Sequence, residues 1–147
     1  MIKRKEQCNN GSPVVLHEIR VKFNETDAMG IVWHGNYLIY FEEGREAFGR
    51  AHGISYNDIM AQGYSVPVVK SVCEHKKPLK YGDIARIETM FINTDAAKII
   101  YKYCIFDVNN TIICTGETIQ VFLDNNGELS LTIPAFFEER KRKMGLE

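Results

Sequence analysis

The sequence has few features that would cross-link the fold, anchor it in a membrane or give it a strong charge. Its four cysteines are far apart, with no Cys-x-x-Cys pair and no histidine at zinc spacing, which argues against a structural zinc site and a small disulfide framework. No run approaches the ~18 apolar residues of a membrane-spanning helix. The 18 Lys and Arg residues are balanced by 19 Asp and Glu residues, so there is no bulk basic field for nucleic acid.

The length and composition indicate one globular domain. The chain has 147 residues, of which 45% are hydrophobic and 25% charged, so it can build a core without covalent staples. The N-terminal segment is polar and basic and lacks the apolar core of a signal peptide, which predicts a cytoplasmic protein with reduced thiols. We expect a mobile arm over residues 1–13, the domain over residues 14–134 and a polar tail over residues 135–147.

An alternating strand, a turn-rich break and one long helix open the domain. Polar and apolar side chains alternate from Val15 to Phe23, which predicts a strand with one covered face. Asn36 is placed to cap a helix that runs over residues 36–52 and ends before Gly53. Residues three and four apart form one stripe on this helix: Tyr37, Tyr40, Phe41, Gly44, Ala47, Phe48 and Ala51. The glycine on this stripe predicts that a sheet packs closely against it.

The second half of the chain has the pattern of a β-sheet. A short helix is expected over residues 56–61, followed by strands over residues 64–73, 84–92, 98–106 and 111–123. The last three strands have short turn-like links and should pair as an antiparallel meander with the 98–106 strand at its centre. Pro67 indicates an edge, a bulge or an irregular start for the first of the four. One helix covers only one face of such a sheet, so we expect another copy of the chain to supply a second layer.

The segment from Thr26 to Tyr37 has the residues for chemistry. It places the Asp27 carboxylate and the His34 imidazole just before the positive end of the helix, where free backbone N–H groups can bind an oxyanion. An ionised aspartate can activate water or attack a carbonyl directly, so these parts suit acyl transfer. Structural interpretations also exist. Asp27 can cap its own turn and His34 can bond to the backbone. Trp33 and Tyr37 can belong to the core.

Two motifs in the sequence resemble a known family. The first is Thr26-Asp27-x-x-Gly30-Ile31-Val32-x-His34-x-Asn36-Tyr37, followed by Tyr40-Phe41-Glu42 and Arg45. The second is the segment Lys77-Pro78-Leu79-Lys80-Tyr81-Gly82-Asp83. Together they resemble the 4-hydroxybenzoyl-CoA thioesterase family, and within it the YbgC-like acyl-CoA thioesterases. The order of strands and helix is similar to that family from about Val15 to Leu123.

The resemblance implies a fold, a reaction and a set of site residues. The implied fold is α+β, a hotdog fold in which a five-stranded antiparallel sheet wraps around one long central helix. The implied reaction is hydrolysis of an acyl-CoA or acyl carrier protein thioester, without a metal or a cofactor. Asp27 matches the family's catalytic aspartate, as base or nucleophile. His34 matches the position whose backbone N–H polarises the thioester carbonyl and whose side chain takes part in catalysis. The expected substrate-binding residues are Trp33, Gly35, Asn36 and Tyr37.

The resemblance also implies an assembly, and some alternatives stay open. Family protomers join their sheets so that the active sites lie at the interface, which implies a homodimer or a dimer of dimers. Phe23 and Trp33 depart from the family, where tyrosine is common at both positions. The rival functions are a non-catalytic acyl-thioester-binding module and a hotdog enoyl-CoA hydratase or dehydratase. Weaker alternatives are a Cys73–His75 nucleophile and base, and contact of the basic C-terminal residues with coenzyme A phosphates.

Overall fold

The computed structural model describes residues 11–146, so residues 1–10 of the predicted N-terminal arm and residue 147 lie outside the described residues. In chain order the elements are β1 (Val14–Arg20), α1 (Asn36–His52), α2 (Tyr56–Ala61), β2 (Val68–His75), β3 (Ile84–Ile92), β4 (Lys98–Asp107), β5 (Ile112–Val121) and α3 (Ala135–Lys143). Within residues 11–146, no helix combines the length and the apolar character that crossing a membrane requires.

The five strands form one antiparallel sheet in the order β1-β3-β4-β5-β2. The predicted meander of β3, β4 and β5, with β4 in the centre, is confirmed. At the turn between β4 and β5, Asp107 Oδ1 accepts the backbone N–H groups of Asn109 and Thr111, both at 2.9 Å. An aspartate that accepts backbone N–H groups two and four residues later stabilises a tight turn, which explains the short connection between β4 and β5.

The largest differences from the predicted strand boundaries lie at the end of β1 and at the start of β2. β1 ends at Arg20, and Phe23 begins a single 3₁₀ turn with its ring 69% exposed, so Phe23 is not on the covered face. Its ring lies edge-on to that of Tyr81, 5.7 Å away. β2 begins at Val68, directly after Pro67, and its register with β5 shifts between Val68 and Lys70. Pro67 has no N–H to give to a ladder, so the regular strand starts after it, at the sheet edge.

α1 has the predicted bounds but a different first cap. Gly35 occupies the N-cap position, and the Asn36 side chain does not cap the helix, so the prediction of Asn36 as N-cap is wrong. Gly53 ends the helix with φ of 72°, as predicted. Ala51 is exposed, whereas Gly49 is buried. The chain turns back after the helix, and the backbone of Ser55 lies against Gly49, which leaves no room there for a side chain.

The buried face of α1 lies unusually close to the sheet. A Cβ atom at Gly44 would overlap the hydroxyl of Thr89 on β3, and one at Gly116 on β5 would overlap the ring of Phe41. The ring of Phe41 is fully buried and stacks on that of Tyr103 on β4, with centroids 4.3 Å apart. The predicted packing of a sheet against Gly44 is confirmed.

The C-terminal segment is not simply a polar tail. Residues 135–143 form α3, whose Phe137 is 1% exposed and contacts the rings of Phe91 and Phe122. Lys141 is 2% exposed, and its ammonium donates to the backbone oxygen of Thr94 at 3.0 Å. The charge-rich composition of this segment concealed a buried aromatic anchor, Phe137, and a buried lysine whose ammonium is hydrogen-bonded to a backbone oxygen.

We expect Phe137→Ala to lower the free energy of unfolding by about 3–5 kcal/mol, because it opens a cavity among buried aromatic rings. The matched control is Leu131→Ala, since Leu131 is 84% exposed and its truncation should change stability by at most about 0.5 kcal/mol. Urea unfolding followed by circular dichroism measures both. Equal stability of the two variants would contradict the packing of α3 on the core.

Candidate active site

A tight hairpin loop between β1 and α1 holds Asp27. Thr26 forms a β-bridge with Val32, and inside it the Asp27 N–H donates to the Ile31 oxygen at 2.9 Å. The loop turns at Gly30, whose φ is 80°. Asp27 Oδ1 accepts the backbone N–H of Met29 at 2.8 Å, so the turn-capping interpretation of this residue is confirmed. Within residues 11–146, Oδ2 has no hydrogen-bond partner, so the half-buried carboxylate keeps one oxygen for other chemistry.

Glu25 joins this loop to the start of α1. Its backbone oxygen accepts the Trp33 N–H at 2.9 Å and the Asn36 side-chain amide at 2.8 Å. Its carboxylate accepts the Tyr40 hydroxyl at 3.1 Å and the Lys22 N–H at 2.7 Å. Asn36 was predicted to bind substrate, but its side-chain amide donates a hydrogen bond to the backbone of the loop. Burial, and after it the negative charge of Glu25, raises the pKa of Tyr40, so its hydroxyl stays a donor.

The segment after β2 supports the loop from the other side. The Val32 N–H donates to the oxygen of the buried Leu79 at 2.8 Å, and Ile31 forms a β-bridge with Lys80. Asp83 Oδ2 accepts the Lys80 N–H at 2.8 Å and closes this segment on itself. The segment of residues 77–83, the second sequence motif, thus packs against the loop that contains the first motif and holds it in place.

The start of α1 has two free backbone donors. The N–H groups of Asn36 and Tyr37 are used by turn bonds to Trp33 and His34, at 2.9 and 3.4 Å. Over residues 11–146, those of His34 and Gly35 have no acceptor. These two amides meet the requirement for an oxyanion site at the positive end of a helix.

Trp33 covers the helix start from the solvent side. A Cβ at Gly35 would overlap the Trp33 indole, so only glycine allows the ring to lie there. The indole is 50% exposed, and its centroid is 4.9 Å from that of the His34 ring. A core role for Trp33 is therefore wrong.

His75, at the end of β2, completes an aromatic cluster that sequence patterns did not single out. Its ring lies 6.4 Å from that of His34 and 5.1 Å from that of Tyr37, edge-on to both. Tyr37 is 3% exposed, so it forms the wall behind the imidazoles, and burial raises its pKa to about 12. The sequence pointed to His75 only as a candidate base for Cys73, because its contacts with His34 and Tyr37 join elements that are far apart in the chain.

The structure brings the six predicted site residues to one end of α1. Trp33, His34, Gly35, Asn36 and Tyr37 surround the helix start, and Asp27 lies in the loop pinned to it. No hydrogen bond or ion pair within residues 11–146 joins the Asp27 carboxylate to the His34 imidazole. The two groups are thus separately available, one as a base or nucleophile and the other as a donor or acceptor.

The thiols near the site do not have the character of nucleophiles. Cys73 Sγ lies 4.0 Å from His75 Nδ1, but burial raises the pKa of both Cys73 and the neighbouring Cys114. A protonated thiol is a poor nucleophile. Among the described residues 11–146, no three His, Cys, Asp or Glu side chains form a group that could hold a metal ion. The groups suited to reaction are therefore a carboxylate, imidazoles and helix-start amides.

Comparisons with known proteins agree with this geometry. A family model described as the thioesterase-like superfamily matches residues 21–140. YneP of Bacillus subtilis, whose name assigns it provisionally as an acyl-CoA thioesterase, is 41% identical over 107 residues, which are 73% of this chain and 78% of YneP. YbgC of Escherichia coli O157:H7, an acyl-CoA thioester hydrolase by name, is 27% identical over 106 residues, or 72% of this chain and 79% of YbgC.

A solved structure shows the same architecture. The DHNA-CoA thioesterase of Staphylococcus aureus superposes with a TM-score of 0.81 at 27% identity, covering 90% of this chain and 91% of that one. The predicted five-stranded hotdog fold around one long helix is confirmed. The chain belongs to the thioesterase-like superfamily and is a thioesterase.

Proposed function

We propose that this protein hydrolyses acyl thioesters of coenzyme A at the start of α1. The observation that carries the proposal is the pair of free N–H groups at His34 and Gly35 beside a loop that holds the Asp27 carboxylate. The names of the relatives YneP and YbgC support coenzyme A as the carrier. Acyl carrier protein is the alternative carrier, and a matched pair of thioesters decides between them.

The reaction needs three groups of this chain. The thioester carbonyl accepts the N–H groups of His34 and Gly35, which stabilise the negative charge that forms on its oxygen. Asp27, as base, takes a proton from water while the water oxygen bonds to the carbonyl carbon. When the tetrahedral intermediate collapses, the carbon–sulfur bond breaks, and the thiolate leaves and takes up a proton. If Asp27 instead attacks the carbon itself, the carbon–sulfur bond breaks and the thiolate leaves, and water then hydrolyses the resulting anhydride to the free acid and the Asp27 carboxylate.

The exposed His34 imidazole orients water or the carbonyl in this scheme. Its ring lies between the Trp33 indole and the His75 ring, so its direction is limited on two sides. An imidazole can both donate and accept a hydrogen bond, which suits a group that positions water.

Coenzyme A also needs local positive charge for its phosphates. Lys76, Lys77 and Lys80 are exposed on the segment that pairs with the Asp27 loop at Ile31. Lys76 already contacts Glu74 at 3.5 Å, which leaves Lys77 and Lys80 as the stronger candidates. Ammonium groups bind phosphate as point charges, so a chain with net charge −1 can still bind this ligand.

A second copy of the chain is the proposed partner at β2. This edge strand exposes Val68, Val69 and Val72, at 42%, 59% and 39%. Long exposed apolar edges are aggregation sites unless they are paired. Antiparallel pairing of two β2 strands would satisfy both edges and bring each His75 to the interface, which supports a homodimer with the sites at its seam.

We expect Asp27→Asn to lower kcat for acyl-CoA hydrolysis by about 10²–10⁴-fold, because an amide is neither base nor nucleophile. Thiol release from a panel of acyl-CoA and acyl carrier protein thioesters measures the rate. Asp95→Asn, an exposed turn residue, is the control. Full activity of the Asp27 variant would refute the mechanism. Binding without turnover by the wild type would indicate a binding module, and enoyl-CoA hydration without thiol release a hydratase.

We expect Glu25→Ala to reduce kcat about 10- to 100-fold with little change in KM, because a shift of about 1 Å between base and oxyanion donors is that costly. Glu25→Gln should recover most of the rate, since its amide oxygen can still accept the Tyr40 hydroxyl. Glu18→Ala on exposed β1 is the control. If Ala and Gln behave alike at position 25, the side-chain bonds do not hold the site together.

We expect the double substitution Val69→Lys and Val72→Lys to convert a dimer to monomers and to reduce activity, because like charges would face each other across paired strands. Light scattering during size-exclusion chromatography measures the mass. Val108→Lys, in the turn after β4 with a 66% exposed side chain, is the control. A dimer that survives the double substitution would remove β2 as the interface.

A further inference from the structure

A cavity lies along α1, away from the helix start. It occupies about 470 Å³ between α1, α2 and the sheet. Its floor consists of buried core residues, namely Ile54, Ile59, Val66, Ile99 and Tyr101. Clefts that bind small molecules have this size and this apolar lining with a few polar groups.

Two hydrogen-bond donors point to what the cavity would take. Tyr101 is 3% exposed and lines the cavity, and within residues 11–146 its hydroxyl has no hydrogen-bond partner. Its neighbour on β4 differs, because the Tyr103 hydroxyl is paired with Thr118 Oγ1 at 2.5 Å. Among residues 11–146, Thr89 Oγ1 is the one buried side-chain oxygen or nitrogen without a partner, so the Tyr101 hydroxyl is reached by solvent through the cavity. A ligand oxygen can take the place of that water as its hydrogen-bond partner.

Arg45 is the second donor. The half-buried guanidinium lines the cavity and gives one bond, from Nη1 to the Tyr103 hydroxyl at 3.2 Å. No ion pair joins it to a carboxylate within residues 11–146. The acidic rim does not neutralise it fully, since Glu46 pairs with Arg50 at 3.1 Å and Glu42 is exposed to screening solvent. Arg45 therefore keeps N–H groups for an oxygen acceptor.

One face of α1 leads from the helix start to this cavity. Leu38, Glu42 and Arg45 follow one another at spacings of four and three, so they lie on the same face, and Leu38 is 42% exposed. Arg45 is ten residues beyond Gly35, about 15 Å along the axis, and its side chain leans back towards the helix start. The remaining span of roughly 10 Å takes about eight to ten bonds of an extended chain.

We propose that this cavity binds the far end of the acyl group and selects chains of about ten carbons that bear an oxygen acceptor there, bonded by Arg45 and Tyr101. The inference rests on the proposed hydrolysis of acyl thioesters and names the class of acyl group. A carboxylate or a hydroxyl at the far end would each present the required acceptor. An unsubstituted chain would make no hydrogen bond to either residue.

The test compares decanoyl-CoA with its ω-hydroxy and ω-carboxy derivatives. We expect kcat/KM of the wild type to be about tenfold or more higher for one or both derivatives, because a site built for an oxygen discriminates against a chain that lacks it. Arg45→Met and Tyr101→Phe should abolish that preference, so that the derivatives lose more kcat/KM than decanoyl-CoA does. Whichever derivative is preferred identifies the acceptor as an acid or an alcohol.

Matched control variants distinguish the loss of the two cavity donors from misfolding and from a general change in charge. Arg20→Met removes an exposed cation from β1, and Tyr64→Phe removes a hydroxyl outside the cavity lining. Both should keep the preference. Arg45→Lys keeps the charge but not the planar fork and should retain part of it. Equal turnover of the three thioesters by the wild type, or equal loss on all three in the variants, would overturn the inference.

Binding separates this inference from the proposed hydrolysis. Decyl-CoA thioethers with and without a terminal hydroxyl or carboxylate cannot be hydrolysed, and calorimetric titration measures their affinity. In one outcome, the substituted thioethers bind more tightly than the unsubstituted one in a way that depends on Arg45 and Tyr101, while no thioester is hydrolysed. That result would support the assignment of the cavity and refute the proposed hydrolysis. Hydrolysis of the thioesters together with equal affinity for the substituted and unsubstituted thioethers would refute the assignment of the cavity alone.

Discussion

The close contact between α1 and the sheet is the constraint on which the site depends. Gly44 and Gly116 remove the two Cβ atoms that would hold the helix and the sheet apart. Phe41 then stacks on Tyr103, and the helix packs mainly against β1 and β3. Because the helix cannot slide, its first residues take a defined place beside the β1–α1 loop. The position of the free His34 and Gly35 N–H groups is therefore a consequence of packing in the core, away from the helix start.

A rigid frame with exposed ends is built on that contact. Glu25 binds the loop to the helix through its backbone oxygen and its carboxylate, and Leu79 supports the same loop from the opposite side. The groups suited to chemistry are left accessible, as the half-buried Asp27 and the exposed His34 illustrate. The buried Tyr37 is the wall against which the imidazole of His75 rests. Hydrogen bonds within the scaffold thus hold the geometry, while the reactive groups remain free for a ligand.

Local pattern predicted most of the fold and part of the site. The bounds of α1, the meander of β3 to β5 and the placement of Asp27 and His34 at the helix start depend on residue spacing and turns, which are local. Phe23 was misplaced because the alternation continues past the last ladder bond of β1. Asn36 was misread as a cap because its real acceptor, Glu25, is eleven residues away. Phe137 was hidden in a charged segment, since its partners are on β3 and beside β5.

The sequence by itself determined the periods of its helix and strands, the glycines that permit close packing, and the carboxylate and imidazole next to a helix start. It also carried the two motifs by which the family is recognised. Only the tertiary structure decided that His75 joins His34 and Tyr37, that Glu25 binds the loop to α1, and that Arg45 and Tyr101 share a cavity. The physical reason is the separation along the chain between the residues that interact. Spacing determines what lies on one face of one element, whereas a site is made where elements far apart in the chain are pressed together by the burial of a common core.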